Sequence, residues 1–301
     1  SAHVLAYKGM VMPAYLPKFY LDLARPELAS SACVFHQRFS TNTMPRWPLA
    51  QPFRLLAHNG EINSIQGNRN WMRARGPRFR SPLVDYRELQ PVVSMEGSDS
   101  QTLDNMLEAL LVGGMDLLHA MRVLIPPAWR DREDLDSDIK AFYEYYQLHM
   151  EPWDGPAGIV MLDARYAACT LDRNGLRPAR YLLTRDRHVV ISSEAGVFDV
   201  APADVIEKGR LGPGEMVAVD LLRGEFLKSR DIDAINRARA PYKRWLKTGV
   251  RYLSNSLIDP SLAIEPMDSP TLAVHQKLFG LSREERDTIL KSLAESESEA
   301  T

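Results

Sequence analysis

Cysteine is scarce in this sequence, with only Cys33 and Cys169 in 301 residues. Two thiols exclude a disulfide framework and a cysteine-rich metal site, and a reducing cytosol is the expected compartment. Long apolar runs are also missing. No stretch approaches the ~18 residues of a membrane span, and residues 1–10 lack the basic-then-apolar layout of a secretion signal. The third absence is an excess of charge, since 37 Lys and Arg stand against 39 Asp and Glu. That balance offers no field for nucleic acid or an anionic membrane. One local exception is the run Arg69, Arg73, Arg75, Arg78 and Arg80, with Trp71 and Phe79 among them. Against a neutral total it reads as a solvated arginine face rather than a nucleic-acid patch. The expectation is a cytoplasmic protein with neither nucleic acid nor membrane as partner.

What the chain does contain is enough apolar residue, 45%, to bury one large core or two smaller ones. Residues 32–39 read as a buried strand running into a polar loop. Pro45, Pro48 and Pro52 then forbid regular structure. Residues 53–57 read as a short strand, His58-Asn59-Gly60 as a turn, and 63–75 as a helix. Leu103, Met106, Leu107, Leu110 and Leu111 fall on one helical face that ends at Gly113-Gly114. Residues 115–123 resume as helix, and Ile139, Phe142, Tyr143, Tyr146 and Met150 mark a third. Short strands follow at 158–163, 166–171, 180–184, 189–193 and 216–220, a meander of antiparallel strands. From Arg230 the chain turns charged and helical, with a turn-rich interruption from Asp259 to Pro270, and residues 295–301 read as a frayed tail. Strands, helices and strands again imply an α+β architecture. The domains divide as 1–229 and 230–301, the second a helical linker entering a further domain.

Three polar clusters could carry chemistry. In His36-Gln37-Arg38-Phe39-Ser40-Thr41-Asn42-Thr43, Arg38 offers a planar fork of donors for a carboxylate, or else satisfies loop carbonyls. In Ala57-His58-Asn59-Gly60-Glu61-Ile62, Asn-Gly is first a hairpin signal. The sharper reading is an oxyanion hole made by the Asn59 amide and the Gly60 N–H, each donor worth ~3 kcal/mol in the transition state. In Gly97-Ser98-Asp99-Ser100, Ser98 and Gln101 have capping-box spacing, and Asp99 could bind an ammonium from that rigid mount. Together they describe a site for a free amino acid bearing a side-chain amide. Glutamine fits, but a nucleophile with its base is missing.

These residues also carry a resemblance. The runs at 7–10, 33–43, 45–54, 56–63, 67–71, 97–100, 151–157, 193–197 and 208–214, with Leu171-Asp172-Arg173-Asn174-Gly175-Leu176-Arg177-Pro178, resemble the large subunit of glutamate synthase. The likeness covers roughly residues 1–225 and, more weakly, the rest. It implies a class II glutamine amidotransferase with the four-layer αββα sandwich of the N-terminal-nucleophile hydrolases, here incomplete at its N-terminus. It further implies that a cysteine thiolate attacks the glutamine amide, that a thioester forms, and that ammonia leaves for reductive amination of 2-oxoglutarate elsewhere. Carried over to this chain, Arg38 is the α-carboxylate ligand, Asp99 the α-amino ligand, and Asn59 with Gly60 the oxyanion hole. Residues 172–178 become a structural loop behind the site.

In the family, the nucleophile precedes the Tyr7-Lys8-Gly9-Met10 segment by well over a hundred residues, so it is expected outside these 301. Cys33 matches another family position, and Cys169 reads as a small core residue. The expected partners are L-glutamine and the remaining synthase: its central and FMN-binding domains and a small reductase subunit. No cofactor is expected in this chain, while FMN and an iron–sulfur cluster belong to the complete enzyme. Two other readings stand beside this one. The first is a glutamine-binding module without chemistry, or a subunit completed by another polypeptide. The second is a hydrolase using Ser1. Missing strands should leave a sheet edge and an apolar face exposed, and make the chain alone marginally soluble.

Overall fold

Along residues 157–171 the apolar side chains serve two faces at once, and that decides the architecture. The fold is given by a computed structural model that describes residues 4–37, 44–251 and 267–296. In it β2 (Ala157–Leu162) and β3 (Tyr166–Leu171) pair antiparallel, with Val160 opposite Cys169. Ala157, Ile159, Met161, Tyr166 and Ala168 enter one buried cluster, while Cys169 and Leu171 enter another, with Val160 packed against it. Successive strand residues point to opposite faces, so this sheet must be covered on both sides.

The two covers differ. β2 and β3 lie inside a five-stranded sheet with β1 (Leu56–Gly60), β7 (Met216–Asp220) and β8 (Glu225–Leu227), in the order β1-β2-β3-β7-β8. Its first face meets helices. α3 (Asp99–Val112), α4 (Leu117–Leu124) and α5 (Ser137–Gln147) bring Leu103, Met106, Leu107, Met121 and Phe142 to the larger cluster. α2 (Ile65–Arg75) adds Met72. The second face meets a three-stranded sheet, β5 (Val189–Ser192), β4 (Arg180–Thr184) and β6 (Val205–Arg210), ordered β5-β4-β6. Tyr181 and Ile191 of that sheet pack on Cys169, Leu171 and Val217. The class is α+β, and the layers run helix, sheet, sheet. Within this unit no described helix covers the far side of the small sheet, where Ile206 is exposed.

The chain divides into two compact units, residues 1–250 and 251–301. The first unit runs past the division expected at residue 229. α6 (Ser229–Arg237) and α7 (Tyr242–Gly249) bury Ile232, Tyr242 and Leu246 in its core, and Tyr242 meets the rings of Phe142 and Tyr145. In the second unit, α8 (Ser269–Leu278) precedes a π-helical stretch, Glu285–Leu290, that runs into α9 (Lys291–Ser296). Pro270 sits in the first turn of α8, where its missing N–H costs nothing, so the expected interruption ends before it. Residues 259–266 of that interruption and 297–301 of the tail lie outside the described residues. No described helix is long and apolar enough to cross a membrane.

Two expectations about the N-terminal part are corrected. The described part of the strand expected at 32–39, residues 32–37, forms none, and Cys33 and Phe35 are exposed. A strand needs a partner for its backbone groups, and no described strand lies beside this run. His58-Asn59-Gly60 is not a turn but the end of β1, with Asn59 opposite Gly158 and Gly60 opposite Ala157. The single helical turn α1 (Leu16–Phe19) is the only α-helix described before α2.

Candidate functional site

β1 is held at both ends by carboxylates of one helix. Asp104, buried on α3, accepts from the backbone N–H groups of Arg54, Leu55 and Leu56 at 2.9–3.2 Å. Asp99, in the first turn of the same helix, accepts from Ile62 N–H at 2.8 Å, just past the strand. Ser98 caps that helix as its spacing predicts, its hydroxyl accepting from Gln101 N–H at 3.1 Å. The helix is therefore a rigid mount for Asp99, and Asp99 ties it to the Asn59-Gly60 segment.

The outer edge of β1 carries no strand among the described residues, so its outward amides need other partners. Alternation sends the N–H groups of Leu56, His58 and Gly60 to that side. Asp104 takes the first, and Gln51 Oε1 takes the second at 2.7 Å. The third, on Gly60, meets no described side chain. Gly60 has φ 134°, and a Cβ there would stand 1.8 Å from the Pro156 carbonyl oxygen, so only glycine fits.

Beneath this edge lies a small polar group. His58 is buried, and its Nε2 faces Asp99 Oδ2 at 3.4 Å without a well-formed hydrogen bond. Burial is the largest influence on Asp99 and pushes its pKa up. The neighbouring His58 and the amides of Ile62 and Ser100 together outweigh it, so Asp99 titrates below the ordinary carboxylate range. Burial, and then the like charge of His58, hold His36 below the usual histidine range, against a hydrogen bond to the His58 backbone.

Asn59 points to the other face of β1 and is exposed. Its Oδ1 accepts from Arg177 Nη2 at 2.6 Å. Arg177 belongs to the loop between β3 and β4, which Asp172 organises. That carboxylate accepts from the N–H groups of Asn174, Leu176 and Ala157 at 3.0–3.2 Å. Gly175, at φ 62°, packs against Pro213.

Of the residues singled out in the sequence, Asn59, Gly60 and Asp99 thus fall on one strand end and the helix tied to it. Arg38 and Ser1 lie outside the described residues. Cys169 is buried in β3, and burial pushes its thiol up to about 12. The arginines of residues 69–80 are largely engaged at home: Arg69 donates to Gly97 O and Thr102 Oγ1, Arg75 to His149 O, and Arg80 to Pro77 O. His58 and Arg177 were not predicted. A histidine next to Asn-Gly and an arginine after Gly-Leu carry no periodicity, and only the fold brings them to their partners. A cavity of about 440 Å³ beside Phe79, Leu83 and Tyr86 is lined by none of Asn59, Gly60 and Asp99.

A profile of the class-II glutamine amidotransferases matches residues 1–245. The chain belongs to that family. As a member it is 41% identical over 305 residues to a ferredoxin-dependent glutamate synthase of Pyropia yezoensis, covering 100% of this chain and 20% of that protein. It is 42% identical over 307 residues to ferredoxin-dependent glutamate synthase 2 of Synechocystis, with coverage of 100% and 20%. It is 40% identical over 304 residues to the glutamate synthase [NADPH] large chain of Azospirillum brasilense, again with 100% and 20% coverage. This amidotransferase chain spans about a fifth of the length of these curated relatives. Among solved structures, the glutamine phosphoribosylpyrophosphate amidotransferase of B. subtilis aligns with 64% of this chain and 33% of its own, at 19% identity and a TM-score of 0.39.

Proposed function

We propose that this chain is the glutamine-hydrolysing, ammonia-releasing part of a glutamate synthase. The observation that carries the reading is the Gly60 N–H, directed to the open edge of β1 beside Asn59 and tied through Ile62 to Asp99. In this reading Asp99 takes the α-ammonium of glutamine and Arg38 its α-carboxylate. Asn59 and Gly60 take the oxyanion as a thiolate adds to the side-chain amide. Ammonia then leaves, water releases glutamate, and the ammonia serves the amination of 2-oxoglutarate in the rest of the synthase. The thiolate is not that of Cys169, whose burial keeps it protonated, nor, by the resemblance, that of Cys33. It comes from residues outside these 301.

Flavin and iron–sulfur chemistry is assigned to those other residues as well. An iron–sulfur cluster takes four thiolates, and Cys33 and Cys169 do not fit it. The exposed apolar side chains of residues 4–37 and the open edge of β1 are where the rest of such a synthase would pack.

The test is ammonia release from L-glutamine by the whole polypeptide as its organism makes it. Asp99→Asn should raise KM for L-glutamine, and Asn59→Ala should lower kcat by about 10²-fold. Turnover unchanged by both would reject the reading. The inaccessibility of Cys169 favours one alternative, a glutamine-binding module without chemistry or a subunit completed by another polypeptide. L-glutamine binding to residues 1–301 with no ammonia released, even with all other chains of the source present, would select the module.

A further inference from the structure

The loop at 172–178 has a role beyond scaffolding. Asn59 can act as an oxyanion donor only if its NH₂, and not its carbonyl oxygen, faces the reacting atoms. A terminal amide rotates readily about its last torsion, so something must hold it. On this strand that partner is Arg177, with Nη2 at 2.6 Å from Asn59 Oδ1. A guanidinium has five donors and no acceptor, so the amide atom facing it has to be the oxygen. The NH₂ is then turned the other way. The bond spans 118 residues of chain, so it belongs to the tertiary fold rather than to local sequence.

The loop is built to keep Arg177 there. Asp172 gathers the N–H groups of Asn174 and Leu176 on one side and of Ala157, opposite Gly60, on the other. Gly214 N–H donates to the Asp172 carbonyl at 2.8 Å, and Gly175 sits against Pro213. Arg177 Cβ lies over Gly158, the residue opposite Asn59, at the distance of an ordinary contact, 3.6 Å from where a Cβ there would stand. Arg177 Nε is buried with no hydrogen-bond partner among the described residues. The fold leaves that donor unmet while directing the head of the side chain at Asn59.

We propose that Arg177 is a positioning residue that fixes the Asn59 amide with its NH₂ presented to the oxyanion. This rests on the oxyanion reading of Asn59 given above. Its effect falls on the transition state and not on ground-state glutamine binding. It also acts only through Asn59.

The experiment is a double-mutant cycle on glutaminase turnover of the whole polypeptide, with Arg177→Met, Asn59→Ala and the pair together. Arg177→Met is expected to lower kcat about tenfold and leave KM for L-glutamine within about twofold. In the Asn59→Ala background the same change should alter kcat by less than about twofold, because the amide to be held is gone. Arg177→Lys, which keeps one donor without the planar fork, should recover part of the loss. An equal loss from Arg177→Met in both backgrounds would overturn the proposal and leave a purely structural loop. So would a fall in kcat matched by a rise in KM. Should the methionine variant not fold, the lysine variant is read in the same two backgrounds with the same criteria. The two readings fail separately. If Asn59→Ala leaves kcat unchanged, the oxyanion assignment falls and this proposal with it. If Asn59→Ala lowers kcat and Arg177→Met does not, only this proposal falls.

Discussion

Residues 4–37 are richer in apolar side chains than the chain as a whole, yet none of them is buried. Leu5, Met12, Phe19, Leu21 and Phe35 are all more than half exposed. Residues 54–250 contain a larger share of polar residues and build two closed clusters around both faces of one sheet. The difference lies in what each apolar side chain faces. In the body, both faces of the five-stranded sheet meet another layer, helices on one side and the small sheet on the other. In the N-terminal segment, short turns of helix meet no opposing layer, so hydrophobicity alone produces no core.

The two cysteines give the largest test of this contrast. Cys33 is exposed, whereas Cys169 is buried in β3 between the two sheets, its thiol pushed up to about 12. A thiol reagent should modify Cys33 at the rate of a free thiol. Cys169 should react only when the sheets open, slower by on the order of 10³-fold or more for an ordinary domain stability. Equal rates would mean the body is no more closed than the segment. Truncations come next. Leu107 is fully buried, and Leu107→Ala should lower unfolding free energy by ~3 kcal/mol in urea titrations. Phe19 is 53% exposed, so Phe19→Ala should cost less than ~0.5 kcal/mol.

The same contrast explains what could be read without the fold. Helix α3 and its Ser98 cap were legible, because a one-sided apolar stripe and a capping residue are local signals. So were β2, β3, β4 and β7, whose runs are bounded by turn residues. The run at 32–37 has the same kind of apolar core, Ala-Cys-Val-Phe, but its strand depended on a neighbour that no sequence window contains. β6 was missed, since Val205–Arg210 reads Val-Ile-Glu-Lys-Gly-Arg, half of it charged and without an apolar alternation, and is a strand only through its pairing with β4. Arg122 gave no hint of being 1% exposed. It is buried because Gly214 O, Ser229 Oγ and Asp233 come to it from far along the chain. In the candidate site, Asn59, Gly60 and Asp99 were singled out by residue type. Arg177 and His58 were not, because their meaning is a contact.

Acid should act on the body through two opposing groups. Burial, with the charge of Arg239 beside it, lowers His119 from 6.5 to about 4. Its unfolded form takes up a proton first, so stability falls as pH drops from 6.5 towards 4, by up to ~3 kcal/mol. Burial raises Asp104 from 3.8 to about 6 against its three backbone hydrogen bonds. There the folded form takes up the proton first, so stability rises as pH drops from 6 towards 3.8, by a similar ~3 kcal/mol at most. The two slopes should largely cancel between pH 6 and 4. His119→Phe, beside the rings of Phe142 and Tyr146, should unmask the rise, and Asp104→Asn the fall, in urea midpoints taken across that window. Asp99, lowered below 3.8, adds stability that is lost only in stronger acid. If both variants keep the wild-type slope, neither group is buried as described.

The smallest effect is the sharpest comparison, because the same chemistry occurs in both regions. Tyr7 donates to Asp22 in the N-terminal segment, and Tyr143 donates to Asp233 at 3.1 Å in the body. Tyr143 is 2% exposed, stacked on Trp129 and set edge-on to Phe142. Removing its hydroxyl leaves the ring packed, and Asp233 keeps Arg122 Nε at 3.1 Å. Tyr143→Phe should therefore cost only the net value of one buried hydrogen bond, ~1 kcal/mol. At Tyr7, water can replace the lost partner, and the segment contributes little to the cooperative transition. Tyr7→Phe should shift the urea midpoint by no more than ~0.3 kcal/mol. Equal costs would show that residues 4–37 unfold together with the body, and the contrast between the two regions would then be one of exposure without one of stability.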